Sequence, residues 1–338
     1  MTAVLALTLG DPAGIGPEIA LRAWAARSEA AVPPFLLLGD PGFLAGTARR
    51  LDLDVPVAAS DPDRAAADFA RTLPVMPLPR GLPVRAQPGR PDPANAPAIL
   101  ASIEEAVALV RAGRCAALVT CPIAKHVLYE AGFAHPGHTE FLAALAVSPT
   151  AAPGEAPPRP VMLLWSETLA VVPVTIHVPL RAVPELLTAD LVVQTARIVD
   201  RDLRARFGLV APRLVLAGLN PHAGEEGSIG TEDRDVLAPA VAALRREGID
   251  IRGPLSADTL FHARARAAYD VALAPTHDQA LIPIKTLAFD EGVNVTLGLP
   301  FLRTSPDHGT AFDIAAQGIA KPDSLIAALR LAGRLSVR

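Results

Sequence analysis

Leu214-Val-Leu-Ala-Gly-Leu-Asn-Pro-His222 is a short apolar run that finishes at a histidine, lying between two amphipathic stretches, 184–206 and 232–247, each long enough for several helical turns. An apolar run of this length between helical patterns reads as a buried strand of a parallel sheet. The alternation recurs along the chain: 4–9, 35–38, 116–120, 271–274 and 293–297 read as strands, and 98–112 and 324–334 as helices. Residues 161–164 and 169–177, with Ser166-Glu167 between them, read as a hairpin, so the expected fold is α/β with mixed, largely parallel sheets. The proline-rich segment 74–97 and the Ala/Pro/Gly-rich segment 148–160 read as surface connections, because proline fits neither a helix interior nor a central strand.

A chain of 338 residues exceeds what one hydrophobic core usually organises, which predicts two lobes with a cleft where a small molecule binds. With 51% hydrophobic and 20% charged residues it has ample material for a core. A net charge of −4 argues against a general nucleic-acid binder, which needs a basic face for phosphates. Cys115 and Cys121 form no C-x-x-C motif and read as reduced, partly buried thiols. Residues 4–9 lack a basic region before them and run into Gly10-Asp-Pro12, so they read as a first strand and not a signal peptide. Every other apolar run is cut by proline, glycine or charge, so a cytoplasmic protein without a membrane partner is expected.

Three apolar runs finish at a histidine: 171–176 at His177, 214–221 at His222 and 271–276 at His277. Ligands collect beyond strand ends in α/β sheets, and three neutral imidazoles satisfy the protein side of a catalytic divalent-cation site. Any one of them alone is more often a hydrogen-bonded structural histidine, and their wide spacing matches no short zinc motif. Lys285, Asn294, Arg303 and His308 lie in or beside the final strand and loop segments among apolar, glycine and proline residues. Arginine and lysine together suit a phosphate or carboxylate, which predicts an anionic substrate. The only partial dinucleotide fingerprint, Gly14-Ile-Gly16, lacks its third glycine.

Six segments in this order resemble the 4-hydroxythreonine-4-phosphate dehydrogenase family of vitamin B6 synthesis: Leu9-Gly-Asp-Pro-Ala-Gly-Ile-Gly-Pro-Glu18, Gly137-His-Thr-Glu-Phe-Leu142, Leu219-Asn-Pro-His-Ala-Gly-Glu225, Gly253-Pro-Leu-Ser-Ala-Asp-Thr-Leu-Phe261, His277-Asp-Gln279 and Gly292-Val-Asn-Val-Thr-Leu-Gly-Leu-Pro-Phe301. Arg303-Thr-Ser-Pro-Asp-His-Gly-Thr310 follows, so the resemblance spans nearly the whole chain. It implies the two-lobed fold of isocitrate and isopropylmalate dehydrogenases, with a central cleft and a homodimer whose subunits share active sites. The lobes are expected at 1–125 plus 270–338 (nucleotide side) and 126–269 (metal and dimer side). The resemblance implies His177, His222 and His277 as ligands of a divalent ion (zinc, magnesium or cobalt). It further implies His138, Thr139, Lys285, Asn294 and Arg303 as substrate contacts. Asp307-His-Gly-Thr-Ala-Phe-Asp313 is similar to the dinucleotide loop of isopropylmalate dehydrogenases, implying that His308, Gly309, Thr310 and Asp313 meet NAD or NADP; read on its own, this stretch is a helix start. Thr276 and Ser228 depart from the pattern, which often has tyrosine and histidine there.

The implied reaction is NAD(P)-dependent oxidation of the 3-hydroxyl of 4-phosphooxy-L-threonine, followed by loss of carbon dioxide. Lys285 and Asp258 are the side chains expected to take the proton, an ordered water being the alternative. Rival readings are a dehydrogenase of the same fold acting on a phosphothreonate or a cis-dihydrodiol carboxylate, a metal-dependent lyase or hydrolase without nicotinamide, and a non-catalytic metal-binding protein.

Overall fold

The computed structural model describes residues 4–147 and 156–337, so residues 148–155 of the expected 148–160 connection lie outside it. Strands are numbered in chain order: β1 Leu5–Thr8, β2 Phe35–Gly39, β3 Val57–Ala59, β4 Leu73–Pro77, β5 Leu118–Val119, β6 Val161–Trp165, β7 Ala170–Pro173, β8 Leu214–Ala217, β9 Ile251–Leu255, β10 Val271–Ala274, β11 Val293–Leu297 and β12 Arg303–Pro306. The chain divides into two compact units, Met1–Pro160 with Leu299–Arg338, and Val161–Gly298.

In the first unit the strand order is β3-β4-β2-β1-β5-β12, and every pairing is parallel. Leu5, Leu7 and Leu36 to Leu38 are buried on both faces of the sheet, which is why these strands read as continuous apolar runs. The helices Gly16–Ala25, Pro41–Arg50, Ala96–Arg111 and Asp323–Ser336 supply the cover. Ser102 ties helix to sheet: its hydroxyl donates to Leu38 O at 2.7 Å and accepts from Leu9 N at 2.9 Å. Strand order reverses at β1, the kind of switch point where open α/β sheets bind ligands beyond their carboxyl ends.

In the second unit the order is β11-β6-β7-β10-β8-β9. The hairpin expected from 161–177 is present as antiparallel β6 and β7, and β11 runs antiparallel to β6. β7, β10, β8 and β9 are mutually parallel. Leu164, Val171, Val215, Ala272 and Ile284 form the centre of its core.

Several expectations are corrected. The unit boundaries fall at 160/161 and 298/299, not at 125/126 and 269/270. Residues 126–147 stay with the first unit because Arg111 Nη1 donates to Leu145 O and Val147 O at 2.6 and 2.9 Å, and residues 270–298 stay with the second because β10 and β11 pair there. The amphipathic stretch 184–206 is two helices, Val183–Leu186 and Ala189–Ala205, because the Thr188 hydroxyl caps the second by accepting from Leu191 N at 3.1 Å. The 74–97 segment contributes most of β4, and residues 307–320 contain no helix.

Candidate active site

The three histidines leave the carboxyl ends of three neighbouring parallel strands, β7, β10 and β8. Beyond β7 and β10 the pairing continues: Val174 N donates to Ala274 O at 2.8 Å, and Thr175 donates to Pro275 O through both its amide (3.2 Å) and its hydroxyl (2.7 Å). This brings the His177 and His277 rings to 5.5 Å between centroids. His277 opens the helix His277–Leu287, fixed by a capping box in which Thr276 and Gln279 satisfy each other. Its Nδ1 lies 2.7 Å from Asp278 Oδ1, which leaves Nε2 as the outward nitrogen. Thr276, one of the departures from the family pattern, is therefore the helix cap. Gln279 Nε2 donates to Gly218 O at 2.9 Å and ties the β8 loop to the same edge.

His222 stands on an unusual turn. His222, Ala223, Glu225 and Glu226 all have positive φ (44° to 58°), and Gly224 continues the left-handed run at 77°. For non-glycine residues this conformation costs roughly 1–2 kcal/mol each, so the surroundings must impose it. The buried Asp233 carboxylate does so, accepting from Leu219 N (2.9 Å), Asn220 N (3.0 Å) and Asn220 Nδ2 (3.0 Å). Gly218 permits the close approach: a Cβ there would lie 2.8 Å from both Ala223 Cα and Asp233 Oδ1. Asp233 gave no signal in the sequence beyond following a glycine-containing turn.

The imidazole pair, with one tautomer fixed by a carboxylate and a third histidine one strand further along the same edge, fits the donor set of zinc or cobalt in residue type. Among the described residues no three His, Cys, Asp or Glu side chains stand gathered as a metal-binding group. The other expected residues of this unit lie elsewhere. Lys285 is eight residues along the helix from His277, about 12 Å by helical rise, with its ammonium 6.0 Å from the Phe289 ring. Asn294 is level with Leu164 and Val171, toward the amino end of β7. Asp258 is exposed on the turn after β9 and accepts from Ser256 Oγ at 2.5 Å.

The first unit brings Arg303 and His138 into one electrostatic cluster. Arg303, only 5% exposed, donates to Thr120 Oγ1 from Nε (3.1 Å) and Nη2 (2.6 Å), and burial brings its guanidinium down to about 10, still charged at neutral pH. His138 opens the helix His138–Ala146, with Thr139 beside it. Burial, then the charges of Arg303 and Lys125, hold the imidazole of His138 well below its usual range, and its Nε2 is buried without a hydrogen-bond partner. A neutral imidazole, a buried guanidinium and free helix N–H groups make a receptor for an oxyanion. Thr120 directly follows β5 and Lys125 opens the next helix, yet neither carries a sequence signal of this role.

The expected cofactor loop lies against the first helix. Ile15 N donates to Thr310 O at 2.9 Å, and a Cβ on Gly14 would stand 2.8 Å from that oxygen. Gly14 is thus needed for close approach to the 307–313 segment. His308 Nδ1 lies 3.1 Å from Gly309 O, Nε2 of His308 is buried and unpartnered, and Asp313 is exposed. A cavity of about 260 Å³ opens nearby, bordered by Pro12, Gly14, Pro17, Phe43 and Arg50.

Residues 31–332 match the model of the pyridoxal phosphate biosynthetic protein PdxA. The chain belongs to this family. Along 334 residues it is 75% identical to the 4-hydroxythreonine-4-phosphate dehydrogenase of Methylorubrum populi, covering 99% of this chain and 95% of that one. The solved 4-hydroxythreonine-4-phosphate dehydrogenase of Klebsiella pneumoniae superimposes with a TM-score of 0.84 at 37% identity, covering 100% and 99% of the two chains. A terephthalate 1,2-cis-dihydrodiol dehydrogenase of Burkholderia xenovorans gives a TM-score of 0.65 at 29% identity, covering 98% of each chain. This member of the PdxA family is therefore an α/β protein of the same dehydrogenase fold, more similar to the Klebsiella 4-hydroxythreonine-4-phosphate dehydrogenase than to the dihydrodiol dehydrogenase.

Proposed function

We propose that this chain is a metal-dependent, NAD- or NADP-linked 4-hydroxythreonine-4-phosphate dehydrogenase of pyridoxal 5'-phosphate biosynthesis. It oxidises 4-phosphooxy-L-threonine to 2-amino-3-oxo-4-phosphooxybutanoate, which decarboxylates to 3-amino-2-oxopropyl phosphate. The observation that carries this reading is 75% identity across 95% of the length of a relative bearing that enzyme name.

His177, His222 and His277 would hold the divalent cation (zinc, magnesium or cobalt), and the 307–313 loop with His308, Gly309, Thr310 and Asp313 would hold the dinucleotide. When bound, the cation supplies polarisation of the substrate hydroxyl and the nicotinamide supplies the hydride acceptor. Arg303, His138 and Thr139 orient the anionic substrate, with Lys285 and Asn294 as further contacts. Lys285 and Asp258 are the groups proposed to take the hydroxyl proton as C3–H gives up its electron pair. The product carries a carbonyl β to the carboxylate, so the C1–C2 bond breaks with its electrons drawn toward that carbonyl and C2 takes a proton. No dedicated residue is required for that step.

A homodimer with shared active sites is part of this reading. It is supported by the distance of Lys285 and Asn294 from the imidazole edge and by the exposed Ile282 and Phe289, 63% and 74% accessible, on and just after the helix that starts at His277. A cytoplasmic location agrees with two free, buried cysteines, and among the described residues no helix is long and apolar enough to cross a membrane. Nicotinamide reduction with 4-phosphooxy-L-threonine, compared with a phosphothreonate and an unphosphorylated cis-dihydrodiol carboxylate, tests the substrate. Turnover of the diol and none of 4-phosphooxy-L-threonine overturns the reading.

A further inference from the structure

We propose that Lys125 is a substrate-specificity residue whose ammonium joins Arg303 and His138 in holding the phosphate group of the substrate. The inference rests on the reading of His138 and Arg303 as substrate contacts and adds a residue that the family resemblance did not supply.

Three placements carry it. First, β5 lies beside β1, where strand order reverses, and the chain leaving its carboxyl end passes through Thr120, the acceptor of Arg303, to Lys125 at the start of the helix Lys125–Glu130. Second, Lys125 reaches across to Gly137, the N-cap of the helix His138–Ala146: a Cβ on Gly137 would lie 3.0 Å from Lys125 Nζ and 3.2 Å from its Cε. The ammonium thus sits at the positive end of that helix, a placement that is unfavourable without an anion to balance it. Glu140 Oε2 approaches the same point, 2.6 Å from the position of that Cβ, yet Lys125 makes no ion pair among the described residues. Third, the next residue, His138, presents a buried Nε2 with no hydrogen-bond partner. A guanidinium, an ammonium, an unsatisfied imidazole nitrogen and helix N–H groups together match the several acceptor oxygens of a phosphate dianion.

Lys125 is exposed, so its replacement leaves the core untouched. Lys125→Met removes the charge and keeps the aliphatic stem, while Lys125→Arg keeps the charge. Steady-state kinetics with 4-phosphooxy-L-threonine and calorimetric titration with inorganic phosphate, both on the full-length protein, form the test. Lys125→Met is expected to raise KM by roughly 10–100-fold with kcat little changed, as for loss of a charge-assisted bond present in both ground and transition states. It should weaken inorganic phosphate by a similar factor, and Lys125→Arg should recover most of both. Unchanged KM and unchanged phosphate affinity in Lys125→Met overturn the proposal. So does a raised KM with unaltered phosphate affinity, which places Lys125 on another group, and so does absence of phosphate binding by the wild type. If the wild type binds phosphate through Lys125 but does not oxidise 4-phosphooxy-L-threonine, the anion site stands and the substrate reading falls.

Discussion

Replacing Asp233 by Asn isolates what holds the His222 loop in its left-handed turn. The carboxylate is 1% exposed and uses one oxygen for Leu219 N and the other for Asn220 N and Asn220 Nδ2. Asparagine offers one acceptor oxygen and one amide donor in the same outline. With its oxygen toward Asn220, the amide faces the Leu219 N–H; with its oxygen toward Leu219, the amide faces two donors. Either orientation leaves at least one partly buried N–H without an acceptor and sets donor against donor, a loss of about 2–3 kcal/mol. At 1.4 kcal/mol per tenfold, the local opening equilibrium should rise by roughly 30–150-fold. Hydrogen-exchange mass spectrometry of peptides spanning 216–230 reads this directly, with β1 peptides as the unaffected reference. Exchange within about threefold of wild type in that segment would refute the role assigned to Asp233, because such a change is well under 1 kcal/mol. The same variant should bind divalent cations more weakly, since His222 lies two residues beyond Asn220.

Gly14→Ala places a methyl 2.8 Å from Thr310 O, so the 307–313 loop must shift; KM for the dinucleotide should rise roughly tenfold or more, and an unchanged KM would remove that loop from the cofactor site. Burial pushes the Cys115 and Cys121 thiols up to about 11 and about 12, so neither should react with a thiol reagent at pH 8 in the native protein, while two equivalents should react after unfolding; rapid native labelling would contradict their burial. His138 is held neutral in the fold, whereas the unfolded imidazole takes a proton as pH falls below about 6.5. The unfolded state then binds more protons, so stability should decline as pH falls from about 6.5 toward the lower folded value, and His138→Gln should flatten that part of the urea-midpoint profile.

Much of the fold was legible because parallel strands buried on both faces leave unbroken apolar runs, as at 35–38, 214–217 and 271–274. The strands that escaped notice lack that signature. β4 contains Pro74 and Pro77, β9 contains Gly253-Pro254, and β12 is Arg303-Thr-Ser-Pro306, polar yet wholly buried. β12 satisfies its groups individually, Arg303 on Thr120 and the Thr304 hydroxyl on Ala328 O, so no hydrophobic pattern announces it. In the site, the strand-end histidines were visible as residues following apolar runs. Their shared edge was not, because it depends on β7, β10 and β8 being spatial neighbours although they are 40 or more residues apart in sequence. Asp233 and Thr120 act on groups 13 or more residues away along the chain, and their local sequence carries no sign of it.

The most direct test of metal-dependent oxidation at the histidine edge is the initial rate of nicotinamide reduction with 4-phosphooxy-L-threonine. It should be recorded for the native protein, after chelation, and after adding back a divalent cation, in wild type and in His277→Ala. The rate should vanish on chelation and return with the cation in the wild type, and stay absent in His277→Ala throughout. Full activity in the metal-free wild type, or in His277→Ala, would contradict it.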